Sequence, residues 1–354
     1  MKVSIIKGSS LGIELIRRWL ELQLSNPELT NPFFHPQFTL AVAAESKDVE
    51  IAVIEKAGVI QAFFPYQRIS KSLAGPVGGT LSDYQGIISA PDFCFEPLEL
   101  LKACSLAAWD FDHLLASQKR FVPFHQEQDI SPVMDLNQGF VSFAANCGFY
   151  KDAVYNFRRL ARELGEIRFV HHSNDTDLLQ QIIAWKAGQY LKSGKEDFFQ
   201  ITWFRNVVER ILATQHENFA GMGSLLFAGD VLLAGHLGMR SSSVWHYWFP
   251  AYNPDYMKYS PGLLLLMKMA EHAETIGIKT IDLGKGASSY KKRMMNSSIH
   301  IASGSVERTS WLKLKRQLRR NGKRLILGGP LEKPLRKLVD GLRRLRSGPV
   351  LPKK

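Results

Sequence analysis

The segment from Trp245 to Arg293 constrains the fold of this chain more than any other part of the sequence. It contains, in order, an aromatic strand-like run, an irregular loop, an apolar helical run, a short strand and a Gly-flanked turn: 244–249, 250–262, 263–276, 279–283 and 284–286. Tyr290 and a cluster of three cations follow the turn. This order of elements predicts a layered α/β domain.

The start of the central helix is the most specific part of that segment. Ser260 is a favoured N-cap residue, and Pro261 occupies the first helical position, where a missing N–H costs nothing. Gly262 leaves the helix end open to a ligand. A bare helix N-terminus after a strand favours anions, so Ser260, Pro261, Gly262 and Leu263 are predicted to bind a phosphate-bearing cofactor. An ordinary structural helix start is the alternative.

The chain shows one structural plan twice. A predicted hairpin over 50–68 has a counterpart over 224–240, and three residue types recur at a constant offset of 172 residues: Val59/Val231, Ala62/Ala234 and Arg68/Arg240. Each hairpin is followed by a predicted strand, helix and strand: 82–88, 96–109 and 112–116, then 244–249, 263–276 and 279–283. A duplicated α/β domain is the economical interpretation.

The duplication predicts four segments. They are an N-terminal lobe over 1–154, a bridging helix over 155–165, a C-terminal lobe over 166–310 and a basic tail over 311–354. We expect the second lobe to open with a strand and two helices, at 167–171, 176–191 and 201–215.

The tail carries the basicity of the chain. Residues 311–354 hold fifteen Lys and Arg against two acids, so the tail contributes +13 to a formal charge of +12 and the rest of the chain −1. The folded part therefore gives no electrostatic reason to expect nucleic acid as a partner. Leucines from Leu331 to Leu345 recur at steps of 4, 3, 4 and 3, which predicts an amphipathic helix on an anionic membrane surface. Packing on the globular body, or binding of nucleic acid or an anionic glycan, remain alternatives.

The three cysteines are scattered, and no pair has the spacing of metal ligands. This favours a reduced cytoplasmic protein without a metal site. No secretory signal is recognisable, and the apolar runs fall short of the ~20 residues that span a membrane. We therefore expect a cytoplasmic protein that the tail brings to the inner face of the cytoplasmic membrane.

The order of elements over 244–290 resembles the acyl-CoA-binding half of the GNAT acetyltransferase fold. In that fold the CoA pyrophosphate rests on the loop and first turn of the central helix. The usual Arg/Gln-x-x-Gly-x-Gly/Ala loop is absent, and Ser-Pro-Gly stands in its place.

Six segments resemble the CelD/BcsL-type (BioF2-like) acyltransferases of cellulose and exopolysaccharide biosynthesis, a GNAT group similar in plan to the tandem FemABX transferases: Asn31–Thr39, Ala62–Arg68, Leu81–Gly86, Trp185–Tyr190, His246–Gly262 and Asp282–Lys292. The resemblance implies two tandem GNAT-like α/β lobes with mixed sheets flanked by helices. It also implies an acyl-CoA donor, such as acetyl-CoA, and a sugar, nucleotide-sugar or lipid-linked glycan acceptor.

Three residues are candidates for catalysis. Direct attack on a thioester needs a base for the nucleophile and an acid for the departing thiolate. Asp83, within Ser82–Gly86, is the candidate base, with a polar loop capped by Asp as the alternative. His236 alternates with apolar neighbours on a strand and either faces a cleft or lies in the core. Tyr290 resembles the GNAT tyrosine near the thioester sulfur, or is a surface aromatic.

The candidate substrate-binding residues are polar or aromatic side chains near these positions: Tyr84, Gln85, Lys186, Tyr190, Tyr247, Trp248, Tyr252 and Asp282. Aromatic rings with a polar group suit sugar rings or a pantetheine wall, although alternating aromatics on one strand also make a good core. Asp282 ends a strand, where a structural role is the favoured alternative.

The sequence therefore predicts an enzyme that transfers an acyl group from acyl-CoA to an amino or hydroxyl group of a sugar or polysaccharide precursor. Two alternatives stay open. One is FemABX-like transfer of an aminoacyl group from tRNA. The other is a non-catalytic accessory protein of a polysaccharide synthase.

Overall fold

The computed structural model describes residues 2–194, 196–286 and 288–308. The predictions for the tail over 311–354 lie outside this part. Up to Val306 the described chain forms one compact unit, a large mixed sheet flanked by helices. In the described residues no helix is both long and apolar enough to cross a bilayer.

The first half of the chain supplies the following elements: β1 (Lys2–Lys7), α1 (Ile13–Leu24), α2 (Pro36–Glu45), β2 (Val49–Lys56), β3 (Val59–Arg68), β4 (Leu73–Gly75), β5 (Ile88–Ser89), α3 (Pro97–Ala103), β6 (Ala108–Leu115), β7 (His125–Asp135), α4 (Gly139–Asn146) and α5 (Tyr150–Leu164). The second half supplies β8 (Ile167–Val170), α6 (Thr176–Lys192), α7 (Thr202–Leu212), β9 (Gln215–His216), β10 (Phe219–Ala228), β11 (Val231–Ser241), β12 (Val244–Tyr252), α8 (Pro261–Ala273), β13 (Thr280–Asp282), α9 (Ser289–Met294) and β14 (Ser297–Glu307).

The two halves meet through an exchange of strands. The order along the sheet is β1-β2-β3-β4-β6-β14-β7-β13-β12-β11-β10-β8. The last strand of the second half, β14, thus lies beside β6 of the first half, and β7 pairs with β13 of the second. β7 and β14 pair antiparallel with each other. One continuous sheet therefore runs through both halves, and the predicted boundaries at 154 and 166 stay a prediction.

Both predicted hairpins are present, and each has a glycine in its turn because the turn requires a positive φ. Ala57 and Gly58 have φ of 52° and 78°, and Gly229 has φ of 53°. These left-handed conformations match the twist of the flanking strands. The helix predicted over 176–191 is observed as α6, and α8 begins at Pro261 as predicted.

Two predicted elements are shorter in the structure than expected. The helix expected over 96–109 stops at Ala103, because Ser105 adopts φ of 53° and Leu106 N–H bonds back to the Leu101 carbonyl, which closes the helix in a Schellman motif. Trp109 instead lies buried on β6. The strand expected over 82–88 is an irregular turn, with only Ile88–Ser89 paired as β5.

An aromatic core crosses the boundary between the halves. Phe33, from a short 3-10 helix over Pro32–Phe34, packs edge-on against Phe38 at 4.8 Å and against Trp248 of β12 at 5.5 Å between ring centroids. The first-half helices α1 and α2 therefore share one hydrophobic cluster with α7 and β11 of the second half. Burial of this shared surface holds the halves together.

We expect Gly229→Ala to destabilise the protein much more than Gly58→Ala. Both positions have positive φ, which costs a Cβ about 1–2 kcal/mol. At Gly229 the added Cβ would also lie 2.2 Å from the Leu164 carbonyl oxygen, whereas nothing lies within 4 Å at Gly58. Thermal unfolding of both variants measures the difference. Equal melting temperatures would contradict the close approach of α5 to this turn.

Candidate functional site

A buried carboxylate lies at the centre of the candidate site. β12 and β13 run parallel, with His246 in register with Asp282, and both side chains are fully buried. Four donors bond to the Asp282 carboxylate: Tyr84 Oη at 2.6 Å, Ser131 Oγ at 2.7 Å, the Gly284 N–H at 2.8 Å and Asn31 Nδ2 at 3.1 Å. Three of these donors belong to the first half of the chain.

This network changes the interpretation of two predicted substrate-binding residues. Asp282 is fully buried and has its oxygens occupied by protein donors, so it organises the site. Tyr84 is 3% exposed and points inward; burial and then the neighbouring Asp282 raise the pKa of its phenol well above the ordinary value. Both side chains are already hydrogen-bonded inside the protein, and their predicted role in substrate binding stays a prediction.

Asp83 is the partly exposed carboxylate of the site. Its Oδ2 lies 2.9 Å from His246 Nε2, and its side chain is 25% exposed. Its Oδ1 faces His113 Nε2 at 3.8 Å, and His113 Nδ1 lies 3.0 Å from Asp112. Burial acts to raise the pKa of Asp83, but the hydrogen bond and charge of His246 outweigh it and hold that pKa below its usual value. Asp83 is therefore an ionised carboxylate at neutral pH.

Two other predicted residues hold the backbone. The Gln85 amide donates to Asp112 at 2.6 Å and accepts from the backbone N–H groups of Asp112 and His113, which fastens the 82–86 loop to β6. His236 is fully buried, and its Nε2 accepts from the Trp248 N–H at 3.1 Å, where the β11–β12 register shifts. Burial lowers the pKa of His236 to about 3, so it stays neutral.

A pocket of about 340 Å³ lies beside the start of α8. It brings together eight of the predicted residues: Lys186, Tyr247, Tyr252, Ser260, Pro261, Gly262, Leu263 and Tyr290. Gln189, Pro250 and Met257 complete its lining. The predicted site residue Trp248 is 9% exposed and packs in the aromatic core with Phe33 instead.

The start of α8 differs from the predicted cap. Ser260 adopts φ of 55° and ψ of 51°, and its side chain caps nothing. Its carbonyl oxygen accepts the N–H groups of Leu263 at 2.9 Å and Leu264 at 3.1 Å. Because Pro261 has no N–H, Gly262 supplies the remaining backbone donor of the first turn among the described residues. An anion here would therefore meet fewer free amides than the sequence predicted.

Tyr247 and Tyr290 line the pocket, and Tyr190 lies within electrostatic reach of Asp83. The Tyr247 hydroxyl donates to the Gly262 carbonyl at 3.1 Å. Burial raises the pKa of Tyr290 to about 12, and burial followed by the charge of Asp83 raises the pKa of Tyr190 to about 12. Lys186 donates to the Pro250 carbonyl at 3.1 Å and lies 5.2 Å from the centre of the Tyr190 ring. Tyr190 is thus within electrostatic reach of Asp83 and in contact with a residue of the pocket wall.

Several residues of this site were missed in the sequence. His246 had a usable signal, since it is the one histidine in the aromatic run over 244–249. Asn31, Ser131 and His113 had none, because each is an ordinary polar residue far from Asp282 and Asp83 in the chain. In the described residues no three His, Cys, Asp or Glu side chains are grouped as metal ligands.

Comparisons with known proteins agree with this architecture. Residues 150–292 match the family model of an acetyltransferase (GNAT) domain. No curated protein matches the chain. The crystal structure of FemX superposes with a TM-score of 0.59 at 10% identity, over 90% of this chain and 99% of that chain.

A C-terminal DUF2156 domain from Agrobacterium fabrum, of a protein named as a lysylphosphatidylglycerol synthetase, superposes with a TM-score of 0.53 at 11% identity, over 88% of this chain and 95% of that chain. L-PGS from Bacillus licheniformis gives 0.50 at 10% identity, over 87% and 96%. At such identities the likeness concerns the fold. The predicted GNAT-like α/β fold is confirmed.

We expect Asp282→Asn to lower the free energy of unfolding by about 3 kcal/mol, because an amide nitrogen cannot accept the buried donors that the carboxylate accepts. Ser131→Ala removes one donor and should lower it by about 1 kcal/mol. Urea unfolding followed by circular dichroism measures both. If the Asn variant is no less stable than the Ala variant, Asp282 does not organise the site.

Proposed function

We propose that the protein is an acyltransferase that moves an acyl group from acyl-CoA, such as acetyl-CoA, to an amino or hydroxyl group of a sugar-containing acceptor. The observation that carries the proposal is one juxtaposition in a GNAT-like fold. A pocket at the start of the central helix is lined by Tyr290 and Lys186, and Lys186 lies over the ring of Tyr190. Tyr190 in turn is within electrostatic reach of an ionised carboxylate, Asp83, that comes from the other half of the chain.

The donor occupies the pocket of α8. Its apolar walls, Tyr247, Tyr252 and Leu263, suit the methylene groups of a pantetheine arm. The Gly262 N–H and the Lys186 ammonium supply donors for its oxygen atoms. The backbone cradle is small, so this site depends on side chains more than a Gly-rich phosphate loop does.

The acceptor approaches along Asp83. Its nitrogen or oxygen attacks the thioester carbonyl carbon, the carbon–sulfur bond breaks, and the Asp83 carboxylate takes the acceptor proton. His246 lies between Asp83 and Asp282. Its hydrogen bond to Asp83 orients that carboxylate and stabilises its negative charge. His113 completes the surroundings of the second carboxylate oxygen.

Tyr290 serves the leaving group. A phenol with a pKa of about 12 keeps its proton at neutral pH, so it donates a hydrogen bond to the developing thiolate. His236 has no part in this scheme, since its Nε2 is committed to the backbone of β12.

The acceptor class rests on the resemblance to CelD/BcsL-type enzymes and on Tyr190, a partly exposed ring within electrostatic reach of Asp83. A sugar, nucleotide sugar or lipid-linked glycan of polysaccharide biosynthesis presents hydroxyl or amino groups and a ring face that fits Tyr190. A thiol-release assay with acetyl-CoA against a panel of such acceptors tests this class directly.

Aminoacyl-tRNA is the competing donor. The relative from Agrobacterium fabrum is named for a lysyl lipid product, and FemX shares the fold. Isothermal titration with acetyl-CoA, and with aminoacyl-tRNA in a parallel experiment, distinguishes the two donors. Binding of the tRNA without binding of acetyl-CoA would overturn the proposed donor.

Gly262→Glu should abolish binding of acetyl-CoA, because a carboxylate would repel the donor phosphates. Gly262→Ala is the matched control and should bind normally, since its Cβ would meet only Tyr252 at 3.6 Å. Isothermal titration gives both affinities, and the melting temperature reports the fold. Unchanged affinity in the Glu variant would remove this helix start from the donor site.

Asp83→Asn should lower kcat by about 100-fold or more while leaving acetyl-CoA affinity within about twofold, because the residue acts in the chemical step. Tyr290→Phe should lower kcat by a smaller factor. Single-turnover thiol release measures both rates. A parent-like kcat for Asp83→Asn would exclude it as the base.

A further inference from the structure

Gln189 is a pocket residue whose side-chain nitrogen is unused. It lies on α6 and lines the pocket across from the start of α8. Its Nε2 is buried, and no acceptor of the described chain lies within hydrogen-bonding distance. Buried polar groups in folded proteins nearly always have a partner, and an unpaired one destabilises the free protein.

The pocket lining carries a positive charge and, in the described part of the chain, no negative one. Lys186 is its one cation, and no Asp or Glu lines the pocket in the described part of the chain. The nearby Asp83 carboxylate is bonded to His246. The polar side chains Lys186 and Gln189 therefore present hydrogen-bond donors from the same wall of α6, one turn apart. Such a wall attracts oxygen acceptors, and the lining itself, among the described residues, offers an ammonium group no carboxylate.

We infer that Gln189 binds the donor by donating a hydrogen bond to a carbonyl oxygen of the bound thioester, and that the charge of the pocket lining favours uncharged or anionic acyl groups over cationic ones. The inference rests on the proposed function and narrows its donor class. Acetyl and succinyl thioesters of CoA belong to the accepted class, and aminoacyl thioesters, whose amine is protonated, to the rejected class.

The test compares three probes on the full chain: acetyl-CoA, succinyl-CoA and β-alanyl-CoA. Isothermal titration should give β-alanyl-CoA an affinity at least about tenfold weaker than acetyl-CoA, a difference of about 1.4 kcal/mol. Gln189→Leu should weaken acetyl-CoA binding about tenfold. It should also keep or raise the melting temperature of the free protein, because an apolar side chain replaces an unpaired buried donor.

Gln181→Leu, at an exposed position of the same helix, is the matched control and should change neither affinity nor melting temperature. Gln189→Glu should shift the preference toward β-alanyl-CoA and away from succinyl-CoA, because it adds the missing negative charge.

The other possible results separate this inference from the proposed function. If the parent protein binds acetyl-CoA and Gln189→Leu binds it equally well, Gln189 does not bind the donor and the proposed acyltransferase function survives. If Gln189→Leu loses stability with unchanged affinity, the residue is structural. If the parent binds β-alanyl-CoA as tightly as acetyl-CoA, the charge selection is wrong. If the parent binds no thioester, this inference and the proposed donor both fail.

Discussion

The arrangement of the site depends on the buried carboxylate of Asp282. A fully buried carboxylate is tolerated only when its oxygen atoms accept several hydrogen bonds, because it has lost its hydration. Tyr84, Ser131 and Asn31 provide these bonds from three separate elements of the first half, and Gly284 provides one from the turn after β13. Releasing any element would leave charge and donors unpaired, so the carboxylate holds both halves in one geometry.

That geometry places the Asp83 carboxylate beside His246, with part of its surface exposed to solvent. The 82–86 loop is held at Tyr84 by Asp282 and at Gln85 by the edge of β6, which leaves the intervening side chains few conformations. Asp83 meets His246 from the opposite half and keeps a quarter of its surface open. The exchanged strands β7 and β14 reinforce the same junction, since separating the halves would break the sheet. The pairing of Asp83 with His246 is therefore a property of the assembled unit.

Sequence reasoning located the elements that local patterns define. The apolar run after Ser-Pro-Gly predicted α8, both hairpins were placed by their turns, and eight predicted residues meet in one pocket. It erred where short-range signals compete. Ser105 closes α3 although the apolar pattern continues, and Ser260 begins α8 without capping it, because its backbone is left-handed. His236 and Asp282 were predicted as site residues from their positions on strands. In the structure both accept hydrogen bonds from buried groups of the protein.

By itself, the sequence determined the α/β class, the duplicated plan and the pocket wall at the start of α8, because these follow from local hydrophobic periodicity and turn residues. Only the tertiary structure decided that Asp83 pairs with His246, that Asp282 accepts donors from both halves and that Gln189 lines the pocket beside α8. Contacts between residues 151 or more positions apart leave no periodic trace, since any polar side chain of suitable length could make them. Packing of the two halves selects which ones do.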